Sequence, residues 1–88
     1  MKYSIYVLQS VKDQRFYTGM AKDLRKRLEE HNQGKVTSTK LRIPFKLIYS
    51  EEVSDRKLAR VREKYWKSGA GREKIKKMLT ADLPLGKS

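Results

Sequence analysis

The fold is decided by the segment Tyr3-Ser4-Ile5-Tyr6-Val7-Leu8 near the start of the chain. β-Branched and aromatic residues dominate this segment, which is typical of a β-strand. Residues 15–18 predict a second strand, and the polar turn of residues 12–14 between the two favours an antiparallel hairpin. Gly19 either ends this strand pair or lets another group approach the backbone closely. The sheet therefore begins with a local hairpin.

The hydrophobic period changes to that of a helix from about residue 22 to residue 32. Leu24, Leu28 and His31 recur on one helical face, and Arg27 lies in the same arc. Gly34 suits the left-handed conformation that often follows the last turn of a helix. The sequence therefore predicts a first helix that ends just before Gly34.

Residues 45–49 predict a third strand, which a polar, basic loop separates from the first helix. Ser54 is expected to cap a second helix. The apolar residues of that helix recur at helical spacing and are expected to form its inner face: Leu58, Val61, Tyr65 and Trp66. Because two strands form a hairpin, the third must join the sheet across the first helix.

The run Ser68-Gly69-Ala70-Gly71 is expected to end the second helix. A last helix has an apolar side of Ile75, Met78 and Leu79 and a basic side of Lys74, Lys76 and Lys77. The order is β-β-α-β-α-α, a three-stranded antiparallel sheet flanked by three helices, in the α+β class. We expect a single domain over residues 1–80 and a loose tail over residues 81–88.

Charge is the most informative feature of the composition. The 88 residues include 22 Lys and Arg but only 10 Asp and Glu, which gives a formal net charge of +12. The excess is spread over the chain, with 10 basic and 4 acidic residues in 1–44 and 12 and 6 in 45–88. A basic folded body favours a polyanion, of which nucleic acid is the commonest in the cytosol. The alternative is a ribosome-associated or merely soluble basic protein.

The composition also excludes several kinds of site. There is no cysteine and a single histidine, which excludes disulfides, Cys nucleophiles and multi-His zinc sites within one chain. No apolar run approaches the ~18–20 residues of a membrane span, and no signal-peptide core opens the chain. We therefore expect a cytoplasmic protein that does not enter a membrane.

Four positions allow both a structural and a functional interpretation. The stem of Arg27 either covers apolar surface, or its guanidinium binds phosphate oxygens. Tyr6 and Tyr17 are either half-buried core residues or two hydroxyls brought to one face of paired strands. His31 is either a partly buried residue at a helix end or a catalytic group. The residues alone leave each of these choices open.

Glu63 lies at the edge of the apolar face of the second helix, among Arg62, Lys64 and Lys67. One interpretation is a surface ion pair, worth about 0–1 kcal/mol. The other is a metal ligand, because Mg²⁺ is often held by a single carboxylate together with waters and substrate phosphate.

The order and spacing of several motifs are together more specific than any one of them. They are Ser4-Ile5-Tyr6, Tyr17-Thr18-Gly19, the run from Asp23 to Gly34, Ser38-Thr39, Arg42-x-Pro44-Phe45 and the run from Ala59 to Arg72. From about residue 3 to residue 79 the chain resembles the GIY-YIG nuclease superfamily, in particular its small stand-alone, excision-nuclease-like branch. The resemblance implies the same fold, cleavage of phosphodiester bonds in DNA with one divalent metal ion, and a role in DNA repair.

The resemblance also implies roles for individual residues. Tyr6 and Tyr17 would be the two motif tyrosines, Arg27 the phosphate-binding arginine, His31 an active-site histidine and Glu63 the ligand of one Mg²⁺ or Mn²⁺ ion. Tyr6 is then the expected proton acceptor for the attacking water, with a hydroxide held by the metal as the alternative base, and Tyr17 holds a phosphate oxygen. We expect these side chains to converge on one solvent-open hollow.

Further basic side chains are expected to contact backbone phosphates: Lys22, Lys35, Lys40, Arg42, Lys74 and Lys77. Such contacts carry no sequence information, so we expect a choice of substrate by structure, with DNA preferred to RNA. A protein partner can also supply specificity to so small a domain.

Two departures from the family pattern keep other functions open. Met20 stands where the excision-repair branch has a lysine, and the asparagine that many members carry near the end of the domain has no clear match. The alternatives are therefore weak cleavage, or a non-catalytic nucleic-acid-binding protein of the same fold. A third is a structural or protein-interaction module.

Overall fold

The computed structural model describes residues 2–81. Its elements are β1 (Tyr3–Ser10), β2 (Phe16–Ala21), α1 (Leu24–Asn32), β3 (Phe45–Val53), α2 (Arg56–Lys67) and α3 (Gly69–Ala81). The expected order and the α+β class are confirmed. Of the predicted tail over residues 81–88, residues 82–88 lie outside the described part of the chain. The expectation of one domain over residues 1–80 stays a prediction. Within residues 2–81 no helix has the length and apolar character that crossing a bilayer requires.

The sheet has the strand order β2-β1-β3, with both pairs antiparallel. The hairpin is confirmed, since Tyr6 of β1 lies opposite Gly19 of β2 and Val7 lies opposite Thr18. β3 pairs with the other side of β1, as expected for a strand that joins across α1. β1 is therefore the central strand, and β2 is an edge strand with one side free of strand pairing in the described sheet.

Side chains of β1 alternate between two cores, one on each face of the sheet. Ile5 and Val7 pack with Trp66 and other residues of α2 and α3. Tyr6 and Leu8 pack on the opposite face, with residues of α1 and with the start of β3. This alternation follows from the two-residue repeat of a strand. It makes three layers, with α1 on one face of the sheet and α2 and α3 on the other.

The strands are longer than the sequence indicates, and α1 is shorter. β2 continues through Gly19 to Ala21, so the glycine does not end the pair. β3 runs on to Val53, past the predicted end at residue 49. α1 begins at Leu24, two residues later than expected, because the Asp23 carboxylate accepts the backbone N–H of Lys26 and caps the helix.

Two expectations for α2 are wrong. The cap is Asp55 rather than Ser54, since its carboxylate accepts the backbone N–H of Leu58 at 2.8 Å. The inner face does not include Leu58 and Val61, whose exposed fractions are 43% and 60%. The buried residues of α2 are Ala59 and Trp66, so the helix is rotated about its axis relative to the predicted face.

An ion pair between α2 and β3 explains that rotation. The Arg62 guanidinium donates to both carboxylate oxygens of Glu51, at 2.6 and 3.0 Å, and the Tyr49 hydroxyl donates to the same carboxylate at 2.7 Å. These hydrogen bonds, with Arg62 first, lower the pKa of Glu51 to about 2. A two-pronged, charge-assisted contact of this kind fixes the orientation of both partners. Arg62 thus faces the sheet, and Glu63 is placed on the flank of the helix.

Candidate active site

Tyr6 lies at the centre of the candidate site, and its position depends on Gly19. The Tyr6 side chain is 1% exposed, and a Cβ added to Gly19 would lie 2.5 Å from the Tyr6 hydroxyl oxygen. Because Gly19 has no side chain, the Tyr6 phenol can lie across β2, the edge strand. The second interpretation of Gly19, close approach of another group, is confirmed.

A chain of hydrogen bonds leads from Tyr6 into the basic loop that follows α1. The Tyr6 hydroxyl lies 3.0 Å from His31 Nε2, and His31 Nδ1 lies 2.8 Å from the Thr39 hydroxyl. Thr39 in turn donates to the Val36 carbonyl at 3.4 Å. Because a carbonyl only accepts, Thr39 accepts from the Nδ1–H of His31, and Nε2 then accepts the Tyr6 proton. This assignment makes His31 a neutral acceptor oriented by Thr39.

The surroundings of His31 favour the same neutral form. Its side chain is fully buried. Burial, and then the positive charge of Arg27, lower the pKa of His31 below 6.5. Sequence reasoning left the role of His31 open and gave none to Thr39, although Ser38-Thr39 belongs to the motif series.

We expect the His31 imidazole to titrate with a midpoint below pH 6.5. Since the unfolded chain takes up this proton near pH 6.5 and the folded chain only at lower pH, the free energy of unfolding decreases as the pH falls below 6.5. His31 is the single histidine of the chain, so its ring signals in a ¹H–¹³C NMR titration need no assignment. A midpoint at or above 6.5 contradicts the buried, neutral imidazole.

Arg27 borders the Tyr6 hydroxyl from α1. Its side chain is 39% exposed, and its Nη1 lies 3.1 Å from the Glu30 carboxylate. Burial raises the pKa of Tyr6 above 10.0, while the Arg27 guanidinium beside the hydroxyl opposes that rise. Tyr6 is therefore a neutral phenol at pH 7, next to a cation that is partly open to solvent.

Tyr17 completes the aromatic part of the site. It is half-buried, and its ring packs edge-on against His31 with 5.0 Å between centroids. The centroids of Tyr17 and Tyr6 are 6.4 Å apart. The two motif tyrosines thus lie on the α1 face of the sheet and form a triangle of rings with His31.

Glu63 approaches from α2. Its side chain is 22% exposed, lies 3.2 Å from Lys67 Nζ, and lines an open groove of about 360 Å³ together with Arg60 and Lys64. Burial is the main cause of the raised pKa of Tyr6, and the charge of Glu63 makes a smaller contribution in the same direction.

Glu63 would be the single protein ligand of a metal ion in this groove, because the other side chains that line it are the cations Arg60, Lys64 and Lys67. Within residues 2–81 no three His, Asp or Glu side chains gather in a cluster that could hold a metal by themselves. Mg²⁺ accepts this arrangement, because it keeps several waters and takes its remaining ligands from a substrate phosphate. Lys67 must release the carboxylate for that to occur, which an exposed ion pair allows.

The structure thus brings four of the candidate residues together: Tyr6, Tyr17, Arg27 and His31. The fifth, Glu63, lies on α2 and is linked to them only through the small effect of its charge on the pKa of Tyr6. One expectation needs correction. The hollow is not open throughout, because Tyr6 and His31 are sealed between the central strand and α1. Arg27 and Tyr17 are partly open to solvent on the α1 face, whereas Glu63 lines a separate groove of α2 with Arg60, Lys64 and Lys67.

The basic residues expected to contact phosphates are spread more widely. Lys22 lines a small hollow with Met20 and Arg56, so two cations lie where the family's lysine is missing. Arg42 lines a separate cleft beside β2. The remaining residues are exposed and line none of these hollows: Lys35, Lys40, Lys74 and Lys77.

Known proteins share both the motifs and the fold. A family profile described as the GIY-YIG catalytic domain matches residues 2–76. The chain belongs to the GIY-YIG family. UPF0213 protein SSP2268 of Staphylococcus saprophyticus is 38% identical over 76 residues, which are 85% of this chain and 92% of that relative. A UPF0213 protein of Limosilactobacillus reuteri is 40% identical over 87 residues, 96% of this chain and 90% of the relative.

A solved structure agrees with the fold. The solution NMR structure of the UPF0213 protein BH0048 from Bacillus halodurans superimposes with a TM-score of 0.54 and 28% sequence identity. The match covers 93% of this chain and 86% of that protein. The resemblance inferred from the motifs is confirmed: the chain is a small GIY-YIG protein akin to the stand-alone UPF0213 proteins.

Proposed function

We propose that this GIY-YIG protein is a metal-dependent endonuclease that hydrolyses phosphodiester bonds. The observation that supports this function is the cluster of Tyr6, His31 and Arg27 beside the edge strand β2, in which the Tyr6 hydroxyl lies 3.0 Å from His31 Nε2 and borders the Arg27 guanidinium. The net charge of +12 favours a nucleic acid as the partner. We expect the substrate to be DNA rather than RNA, and the protein to select it by structure, such as a branch, flap or single strand. Such an activity would serve DNA repair in the cytoplasm.

Arg27 is suited to bind the phosphate that reacts. Its guanidinium is always charged, partly exposed and bordered by the Tyr6 hydroxyl. A planar fork of donors matches two phosphate oxygens and stabilises the charge that builds up on them. The half-buried Tyr17 hydroxyl lies on the same face of the sheet and would hold one further oxygen.

Tyr6 and His31 can move a proton without forming a phenolate. Since burial raises the pKa of Tyr6, ionisation of the resting phenol is unfavourable. Tyr6 is sealed from solvent in the resting structure. A water that reaches its oxygen when substrate binds would give up a proton there while Tyr6 passes its own proton to His31 Nε2, 3.0 Å away. The deprotonated water is then a hydroxide that attacks phosphorus. His31, now an imidazolium, keeps its hydrogen bond from Nδ1–H to the Thr39 hydroxyl. A phosphate drawn to Arg27 would bring the water to this oxygen.

Glu63 would hold one Mg²⁺ or Mn²⁺ ion. When bound, that ion supplies positive charge to the phosphoryl group and to the departing oxygen. The neighbours of the carboxylate, Arg60, Lys64 and Lys67, line an open groove that suits an anionic strand.

A panel of labelled branched, flapped and single-stranded DNAs, incubated with Mn²⁺ or Mg²⁺, tests this function. We expect cleavage of at least one substrate, none in excess chelator, and a loss of about 100-fold or more in R27A, which lacks the phosphate clamp. The control is R25A, which removes an exposed cation from the same helix. Cleavage that persists in chelator or in R27A contradicts the proposal.

The second candidate is nucleic-acid binding without cleavage. Two observations favour it, the burial of Tyr6 and the engagement of Glu63 by Lys67. It predicts that affinity falls steeply with salt, with log K decreasing by about 0.9 per phosphate contacted on a duplex as log salt rises by one. It also predicts no product with any metal, so the same panel separates the two functions.

A further inference from the structure

A second basic feature lies beside the sheet and is not part of the candidate active site. A cleft of about 500 Å³ opens where the β1–β2 turn, the loop before β3 and helix α3 meet. Four of its six lining side chains are cationic: Arg15, Arg42, Arg72 and Lys76, with Gln14 and Phe16. Of these four cations, Arg42 and Lys76 were expected from the sequence to contact phosphates, whereas Arg15 and Arg72 were not.

One wall of the cleft is held in place by Arg42. Its Nε lies 3.1 Å from the Asp13 carboxylate, its Nη2 donates to the Phe16 carbonyl at 3.5 Å, and its guanidinium stacks over the Phe45 ring. The buried Ser10 hydroxyl donates to the Arg42 carbonyl at 2.6 Å. The arginine is therefore oriented before any ligand arrives, which lowers the entropic cost of binding.

The charges around the cleft do not cancel. Asp13 pairs with Arg42, and Glu73 lies 3.9 Å from Lys76 Nζ. Arg15 and Arg72 have no acidic side chain within ion-pair distance among residues 2–81. Two guanidinium groups from distant parts of the chain thus face one opening with their charge uncompensated, an arrangement that suits phosphate oxygens.

We propose that this cleft binds two non-reacting backbone phosphates of the nucleic-acid strand that reaches the candidate active site, an inference that rests on the proposed function. Phe16 lines the cleft and Tyr17 belongs to the site. They are neighbours in β2, and their side chains point to opposite faces of the edge strand. A nucleic-acid strand that follows the free edge of β2 contacts both the cleft and the candidate active site. Arg15 and Arg72 would therefore fix the position of the substrate relative to Arg27.

The test measures binding without cleavage, with the full chain and a fluorescently labelled single-stranded DNA of about 12 nucleotides in excess chelator. We expect R15A/R72A to weaken binding by tenfold or more and to make the plot of log K against log salt less steep by about 1.4, because two phosphates of a single strand are no longer neutralised. R25A/K26A is the matched control. It removes two exposed cations from α1 and changes the net charge equally, and we expect less than a twofold effect.

Equal losses in R15A/R72A and R25A/K26A, or no binding by the unmodified protein at low salt, overturn the inference. A second double variant, K46A/K57A, makes the same comparison with exposed cations of β3 and α2, and a loss equal to that of R15A/R72A likewise shows diffuse attraction instead of a site. Circular dichroism of each variant verifies folding. Cleavage is not part of this readout, so a selective loss of binding without any nuclease activity would reject the endonuclease and support the cleft.

Discussion

Replacing Glu63 with glutamine is expected to reduce DNA cleavage by about 100-fold or more. The amide keeps the shape of the side chain but loses the negative charge that would hold a divalent cation. Within residues 2–81 no cluster of acidic residues or histidine is available to replace that ligand. The variant should fold normally, because the Glu63–Lys67 pair is partly exposed and contributes about 0–1 kcal/mol. Initial rates on one labelled substrate at several Mg²⁺ concentrations measure the effect.

The same substitution separates loss of the metal ligand from loss of binding. E63Q frees Lys67 from its ion pair, so its affinity for DNA in chelator should be unchanged or higher than that of the unmodified protein. E29Q is the control, since it removes an exposed carboxylate from α1. Full cleavage by E63Q, or an equal loss in E29Q, would show that Glu63 is not the metal ligand.

Local pattern was sufficient for most of the fold. The alternation of β1 and the turn after it indicated the hairpin, and helical spacing indicated all three helices. These signals depend on residues near one another in the chain, where backbone preference and side-chain period act directly. Gly19 shows the limit, because two interpretations fitted the sequence. Only the position of Tyr6 across β2 selects the close approach.

The buried face of α2 could not be derived in this way. Leu58 and Val61 have the right spacing for a core face, yet both are exposed. The helix is held in this orientation by burial of Ala59 and Trp66 and by the ion pair of Arg62 with Glu51, which lies 11 positions earlier in the chain.

The motifs in the sequence indicated which residues form the candidate site, but they did not indicate that Tyr6 and His31 are buried. Spacing indicated Tyr6 and His31 but gave no sign that they share a hydrogen bond inside the protein. The contribution of Thr39 depends on how the basic loop folds back onto α1, which is a tertiary contact. The cationic cleft was missed for the same reason, since Arg15 and Arg72 meet from opposite ends of the chain.

Gly71 is the position where a single methyl group is expected to cost the most stability. A Cβ there would lie 2.6 Å from the Trp66 Cα and still closer to the Tyr65 carbonyl oxygen, both backbone atoms of α2. Backbone cannot move aside as a side chain can, so the two helices must separate. We expect G71A to lower the free energy of unfolding by about 2–3 kcal/mol, as measured by urea denaturation. That is a large part of the roughly 5–15 kcal/mol typical of a folded domain.

G69A is the matched control for this effect, because it makes the same substitution two residues earlier in α3. A Cβ at Gly69 meets no atom within 4 Å, so alanine there should be neutral or stabilising by about 0.5 kcal/mol. Equal destabilisation in both variants would mean that the effect arises from the helix and not from its contact with α2. Since α3 carries Arg72 and Lys76, separation of the helices in G71A also displaces one wall of the cleft. G71A should therefore bind single-stranded DNA more weakly under conditions in which it is still folded, whereas G69A should bind as the unmodified protein does.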